Sequence, residues 1–250
     1  MRESSCKIAA IIPALNEADS IYTVVQSLPR TLIQRIIVVD NGSTDATREE
    51  ALRAGAEVVV ESRRGYGQAC LRGISELQDE EIVLFIDADG SDDPCDVPAV
   101  LQPIISNEVD FVLGSRALGR AERGSMTPPQ AFGNWLATRL IWLLWGVRYH
   151  DLGPLRAIRR SALTKLQMRD TNYGWTVEMQ IRVIECGISF REVSVAYRKR
   201  CHGYSKISGT VKGVVGAGAK ILYTIFRFRF LSRQRQTVCP TFAAPEQKRS

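Results

Sequence analysis

Five short apolar runs, each leading into polar residues, punctuate the first 115 residues, and no other feature of the sequence constrains the fold as tightly. They read as strands at residues 7–15, 35–40, 57–61, 81–87 and 110–115. Val, Ile, Leu and Phe fill them with little polar alternation, the composition of strands buried on both faces. Between the first two, Ile21, Val24, Val25 and Leu28 recur at i, i+3, i+4 and i+7, the spacing of an amphipathic helix. Further helices are expected at 44–54, opened by Ser43 or Thr44 and stopped by Gly55, at 66–77, and at 96–106 with Pro103 inside it. Strand and helix in alternation predict an α/β fold with a Rossmann-like, mostly parallel sheet and helices on both faces. In such sheets, ligands gather at the carboxyl ends of the strands.

The residues able to do chemistry fall at those ends. Asn16 and Glu17 follow the first strand, Asp40 ends the second, Asp87 and Asp89 close the fourth, and Arg116 follows the fifth. Any one alone could be a helix cap or a loop anchor, but their convergence on one sheet edge marks a ligand site. The stretch FIDADGSDDP, residues 85–94, crowds Asp87, Asp89, Asp92 and Asp93 at the end of the most apolar strand. Carboxylates held so close raise one another's pKa unless a cation neutralises them. Their oxygens suit Mg²⁺ or Mn²⁺, which keep open positions for phosphate oxygens. Gly65-Tyr66-Gly67 opens a helix, where backbone N–H groups could approach a phosphate; a tight strand–helix turn explains the glycines equally well.

At 250 residues, 45% hydrophobic and 24% charged, the chain has the composition of a soluble globular protein. Its six cysteines show no paired spacing, which points away from a zinc site or disulfide framework and toward a reducing compartment. The N-terminus lacks the apolar core and cleavage site of a signal peptide. The net charge of +6 is local: ten Lys and Arg, and no Asp or Glu, lie between residues 193 and 245. Taking those ten from 33 leaves 23 basic residues against 27 acidic, a net of −4 elsewhere. The C-terminal part therefore expects an anionic partner.

Residues 209–230 interleave Val211, Val214, Val215, Ile221, Leu222, Ile225 and Phe228 with Lys212, Lys220 and Arg227. This falls short of the roughly 20 continuous apolar residues of a spanning helix and fits a helix lying on an anionic membrane surface. Residues 132–147 add Trp135, Trp142 and Trp145 with Arg139, a set that suits a headgroup boundary or an ordinary buried helix. The expected organisation is a catalytic domain over 1–207, with a nucleotide-binding half to about 116, a basic amphipathic segment over 208–235 and a disordered tail over 236–250. The expected location is cytoplasmic, peripheral to the inner face of the membrane.

The motifs P-A-L-N-E (13–17), V-V-D-N-G-S-T-D-A-T (38–47), G-Y-G-Q-A (65–69), D-A-D-G (87–90) and G-S-R (114–116) resemble the family 2 glycosyltransferases with a GT-A-type fold. D-L-G-P-L-R (151–156) and R-C-H-G-Y-S-K (200–206) resemble their dolichyl- and polyprenyl-phosphate sugar synthase branch. The resemblance implies inverting, metal-dependent transfer of a sugar from a nucleotide-sugar, of UDP-glucose or GDP-mannose type, to a lipid phosphate. It implies that Pro13, Ala14, Glu17 and Asp40 hold the nucleoside, that Asp87 contacts ribose or the metal, and that Asp89 holds Mg²⁺ or Mn²⁺ on the diphosphate; Asn16, beside them at the strand end, is expected to bind substrate too. Arg116 and Arg156 would lie near the phosphates, and Arg200, Ser205 and Lys206 would close over them; Gly67 joins them only if the helix start reads as a phosphate cradle. Members of that branch often carry Gln two positions after the second motif Asp; Ser91 stands here, which makes His202 the candidate third ligand.

The acceptor divides the readings. Transfer to a hydroxyl requires a carboxylate base, whereas a lipid phosphate is already an anionic nucleophile. Glu178 is the first candidate for that base, and Asp151 the second; Glu178 could equally be a structural carboxylate paired with Arg156 or Arg182. A nucleotidyltransferase would need a Gly-rich, basic N-terminal loop that is absent here. A nucleic-acid-binding module would explain the basic stretch but not the carboxylates at the sheet edge, so no nucleic-acid partner is expected.

Overall fold

In a computed structural model, the structure describes residues 6–119, 122, 124–199 and 211–231. The expected strands form β1 (Ile8–Ala14), β2 (Arg35–Asp40), β3 (Glu57–Val60), β4 (Ile82–Phe85) and β5 (Phe111–Ser115). Two more strands, β6 (Arg156–Arg159) and β7 (Phe190–Ser194), complete a seven-stranded sheet of order β3-β2-β1-β4-β6-β5-β7. Four pairings are parallel, while β6 runs antiparallel between β4 and β5. The α/β, mostly parallel architecture is as the sequence predicts.

Helices α1 (Ala18–Ser27), α2 (Thr47–Arg53), α3 (Tyr66–Ser75) and α4 (Val97–Ile105) connect the first five strands. Helix α2 begins later than expected: neither Ser43 nor Thr44 caps it, because both serve the loop beside β1, and Ala46 stands at the N-cap. Gly55, at φ +82°, stops it as expected. Pro103 is accommodated near the end of α4, where little of the helix remains to be disrupted.

Helix α5 (Pro128–Trp145) starts at a Thr127–Gln130 capping box with two prolines in its first turn and ends at left-handed Gly146. Helices α6 (Arg160–Leu166), α7 (Trp175–Glu185) and α8 (Val211–Phe226) follow, α8 leading into a π-helical turn, Arg227–Leu231. The strands alternate sides, so Ile8, Ala10 and Ile12 face α1 and α4 while Ile11 faces the layer of α3, α5 and α7. The inward side of α8 joins this second core through Ile225, fully buried, and the turn that follows joins it through Phe228. Among the described residues no helix is long and apolar enough to cross a membrane.

Candidate functional site

The ends of β1, β2 and β4 open into a cavity of about 530 Å³. Residues 13–17 form one wall and 87–89 another; Asn41 lines it from the end of β2 and Arg64, Gly65 and Tyr66 from the start of α3, with Asn172 and Tyr173 completing it. Pro13, Ala14, Asn16, Glu17, Asp87 and Asp89 are thus brought together as the sequence predicts.

The wall at 13–17 is stitched to the segment after β2. Asn16 takes a left-handed conformation, φ 51°; its side-chain oxygen accepts from Thr44 N at 2.7 Å and its own N donates to Ser43 Oγ at 2.9 Å. Glu17 N donates to Thr47 Oγ1 at 2.8 Å. Asp40 is buried beneath the cavity and not on its wall, accepting from Ser43 N at 2.9 Å and Arg48 Nη2 at 2.8 Å. Burial opposes its charge, yet these donors prevail and hold its carboxyl below the usual range. Its neighbour Asn41 faces the cavity and braces the loop before α3: Gly65 N donates to it, and it donates to the carbonyls of Glu61 and Arg63.

Across the cavity stands the acidic cluster. Tyr66 donates its hydroxyl to Asp87 Oδ1 at 2.9 Å, and Ser91 N donates to Asp89 Oδ1 at 2.8 Å. Asp89 and Asp92 are both only 3% exposed. Asp92 Oδ1 and Ser91 Oγ are buried without a hydrogen-bond partner. Burial, and then the charges of Asp87 and Asp89, push the Asp92 carboxyl well above its ordinary range. Burial and Asp87 likewise raise the Tyr66 phenol. Asp93 turns away to cap the 3₁₀ turn Pro94–Asp96 through Cys95 N and to pair with Arg198. Hard oxygens, crowded charge and an orphaned carboxylate oxygen fit a divalent cation. Among the described residues no three His, Cys, Asp or Glu side chains form a ready cage. Such an ion would be held by one or two carboxylates, its other positions left to water and phosphate oxygens.

Arg116 sits beside this cluster, gripped on two nitrogens by Asp151 at 2.8 Å and stacked 4.8 Å from the Tyr197 ring. Burial works against its charge, but Asp151 outweighs that and raises its pKa; burial pushes Tyr197 up to about 12. Three expected residues lie elsewhere. Arg156 is 1% exposed and donates to the carbonyls of Thr176, Leu152 and Gly153, so direct contact with phosphate is closed to it; burial lowers its pKa. Glu178 is buried, accepting from Arg169 N, Asp170 N and Arg182 Nε, the pairing with Arg182 that its structural reading expects.

Gly67 lines no cavity. A Cβ there would stand 2.1 Å from the Asp170 carbonyl oxygen, and one at Gly65 2.1 Å from that of Thr171, so the two glycines admit the 170–174 loop. Arg200, His202, Ser205 and Lys206 lie outside the described residues. Sequence reasoning missed Asn41, Arg64, Asn172 and Tyr173 as cavity residues. Asn41 could have been found, since it follows Asp40 in the V-V-D-N-G motif. Asn172 and Tyr173 carry no local signal, because a distant loop folds over to place them.

The profile described as Glycosyl transferase family 2 matches residues 9–167. An uncharacterized glycosyltransferase of Mycobacterium tuberculosis is 35% identical over 215 residues, covering 83% of this chain and 93% of its own. The UDP-N-acetylglucosamine–dolichyl-phosphate N-acetylglucosaminyltransferase of Methanococcus voltae is 30% identical over 245 residues, covering 89% and 96%. Glucosyl-3-phosphoglycerate synthase of M. tuberculosis, crystallised with Mn²⁺, uridine-diphosphate-glucose and phosphoglyceric acid, superposes with a TM-score of 0.73. It is 24% identical, with 90% of this chain and 80% of that one covered, a likeness of fold.

Proposed function

The chain belongs to glycosyl transferase family 2, and from that premise we propose that it moves a sugar, with inversion, from a nucleotide-sugar to a polyprenyl or dolichyl phosphate at a membrane surface. The cavity wall of residues 13–17 and Asn41 receives the nucleoside, with Asp40 holding that wall from beneath. Asp87 and Asp89 face the diphosphate and would hold Mg²⁺ or Mn²⁺, which when bound offsets the charge growing on the departing nucleoside diphosphate. Tyr66 fixes Asp87 for that role. A phosphate oxygen of the lipid attacks the anomeric carbon as the bond to the diphosphate oxygen breaks on the opposite side, so no proton has to be removed.

The observation that carries the choice of acceptor is the state of the acceptor-side carboxylates. Glu178 is saturated by two backbone amides and Arg182, and Asp151 by Arg116 and Leu152 N. A hydroxyl acceptor would find neither available as a base. The membrane setting is supported by α5 and α8, which pack together, contain no acidic residue and expose Phe132, Trp135, Leu143, Tyr223 and Phe226. The Methanococcus relative is named for a UDP-sugar donor and a dolichyl-phosphate acceptor, which supports the same chemistry.

The test is incubation with UDP- and GDP-sugars and Mn²⁺, with polyprenyl phosphate or a soluble hydroxyl acceptor, using wild type and Glu178→Gln. We expect product on the lipid phosphate and a mild effect of the substitution on the chemical step. Turnover only on the hydroxyl acceptor, with a loss on the order of 10²-fold or more in Glu178→Gln, would overturn the lipid-phosphate reading.

A further inference from the structure

The cavity wall formed by Asn172 and Tyr173 belongs to a loop held from three directions. Glu178 accepts from Arg169 N and Asp170 N, anchoring the loop to α7. Gln68 N donates to the Thr171 carbonyl at 2.9 Å, anchoring it to α3. The third hold comes from α8. Lys220 Nζ lies 2.9 Å from Asp170 Oδ2, and the carboxylate is almost fully buried. The other oxygen of Asp170 accepts from Asn172 N at 2.8 Å and Gly174 N at 3.2 Å, so the same side chain that meets Lys220 shapes the turn bearing Asn172 and Tyr173.

Helix α8 also touches this turn directly. A Cβ on Gly174 would stand 2.4 Å from Asp170 Oδ2 and 2.6 Å from Thr224 Oγ1. Thr224 is buried and donates its hydroxyl to the Lys220 carbonyl, one helical turn away. Lys220, Asp170, Thr224 and Gly174 thus form one packed joint between the last described helix and the cavity wall.

We propose that Lys220 is a positioning residue for the nucleotide cavity: through Asp170 it holds the 170–174 turn in place, so the seating of α8 sets the affinity for a nucleoside diphosphate. The proposal rests on the donor reading of the cavity and deepens it. The aromatic side chains that α8 exposes and the lysine it turns inward sit on the same helix. Displacement of α8 at a membrane would therefore be felt at the nucleotide, and bound nucleotide would favour the seated helix to the same degree.

Lys220→Met keeps the aliphatic stem and removes the charge, while Lys220→Arg keeps a donor for Asp170. Without nucleotide, Lys220→Met should speed amide exchange at Asn172 and Gly174 and leave β1 protected, and Lys220→Arg should exchange like wild type. UDP in the presence of Mn²⁺ should bind Lys220→Met roughly five- to twentyfold more weakly, within the usual range of coupling between linked sites. KM for the sugar nucleotide should rise by a similar factor with kcat little changed. Gly174→Ala should reproduce the weakened binding from the other side of the joint. Unchanged exchange in Lys220→Met, or unchanged UDP affinity in both variants, would overturn the proposal. Failure of wild type to bind UDP or GDP would instead overturn the donor reading, on which the exchange measurement does not depend.

Discussion

Asp89 and Asp92 stand three residues apart in one acidic turn and should respond in opposite ways to loss of charge. Asp89 lines the cavity, and Asp89→Ala should abolish sugar transfer while the chain stays folded, as judged by circular dichroism; full activity in Mn²⁺ would sink the assignment. Asp92 is buried, with one oxygen unpartnered and two carboxylates nearby. Because its folded-state pKa lies above the unfolded value, the native protein holds that proton more tightly. Its ionisation therefore removes stability as pH rises from about 4, the unfolded value, through the native one. Asp92→Asn cannot ionise and should raise the melting temperature of the metal-free protein at neutral pH, by about 0.5–2 kcal/mol in stability. The gain should vanish below about pH 4 and shrink when Mn²⁺ and UDP are present. An equal gain at all pH values would show that repulsion is not its source.

At the scale of elements, α8 acts both as a surface helix and as part of the core. Its charge pattern predicts a helix lying on a membrane, yet its Ile225, with Phe228 of the turn that follows, packs against the layer of α5 and α7. Removing residues 211–250 should then uncover core as well as weaken vesicle binding. Each of these two side chains contributes roughly 1.5–3 kcal/mol on burial, so melting should fall on the order of 10 °C. A truncated protein melting like the full chain would contradict this packing. The same helix shows where sequence reading stops. The first five strands and four helices were legible because each is a local run of one periodicity, and the wall at 13–17 and 87–89 was legible because sheet topology gathers strand ends. Strands β6 and β7, Arg-Ala-Ile-Arg and Phe-Arg-Glu-Val-Ser, are short and charge-rich, and only their sheet neighbours make them strands. Arg156 was expected near the phosphates from its motif, and Glu178 as either a base or a structural carboxylate, whereas burial and hydrogen bonding direct both inward. No local pattern encodes that direction.

At the scale of the whole molecule, the proposed reaction asks one surface to reach lipid while the cavity receives a water-soluble donor. Phe132→Ser with Trp135→Ser removes two exposed aromatic side chains of α5 that contribute little to the core. It should weaken binding to vesicles containing anionic phospholipid about tenfold or more and depress turnover of polyprenyl phosphate, with UDP affinity and melting temperature nearly unchanged. Loss of UDP binding to the same extent would place those residues in the donor site instead. The position of β6 has a different kind of consequence, one of timing. A ribosome delivers residues 1–116 before residue 156 exists, so β4 and β5 emerge without the strand that will lie between them. Until then one edge of β4, Ile-Val-Leu-Phe, is an open template for any passing strand. Sheet closure must wait for the antiparallel insertion, which makes folding late and non-local. Expressed alone, residues 1–116 should aggregate, and adding a peptide of residues 150–166 during refolding should reduce that aggregation; a soluble, monomeric fragment would show that the edge protects itself.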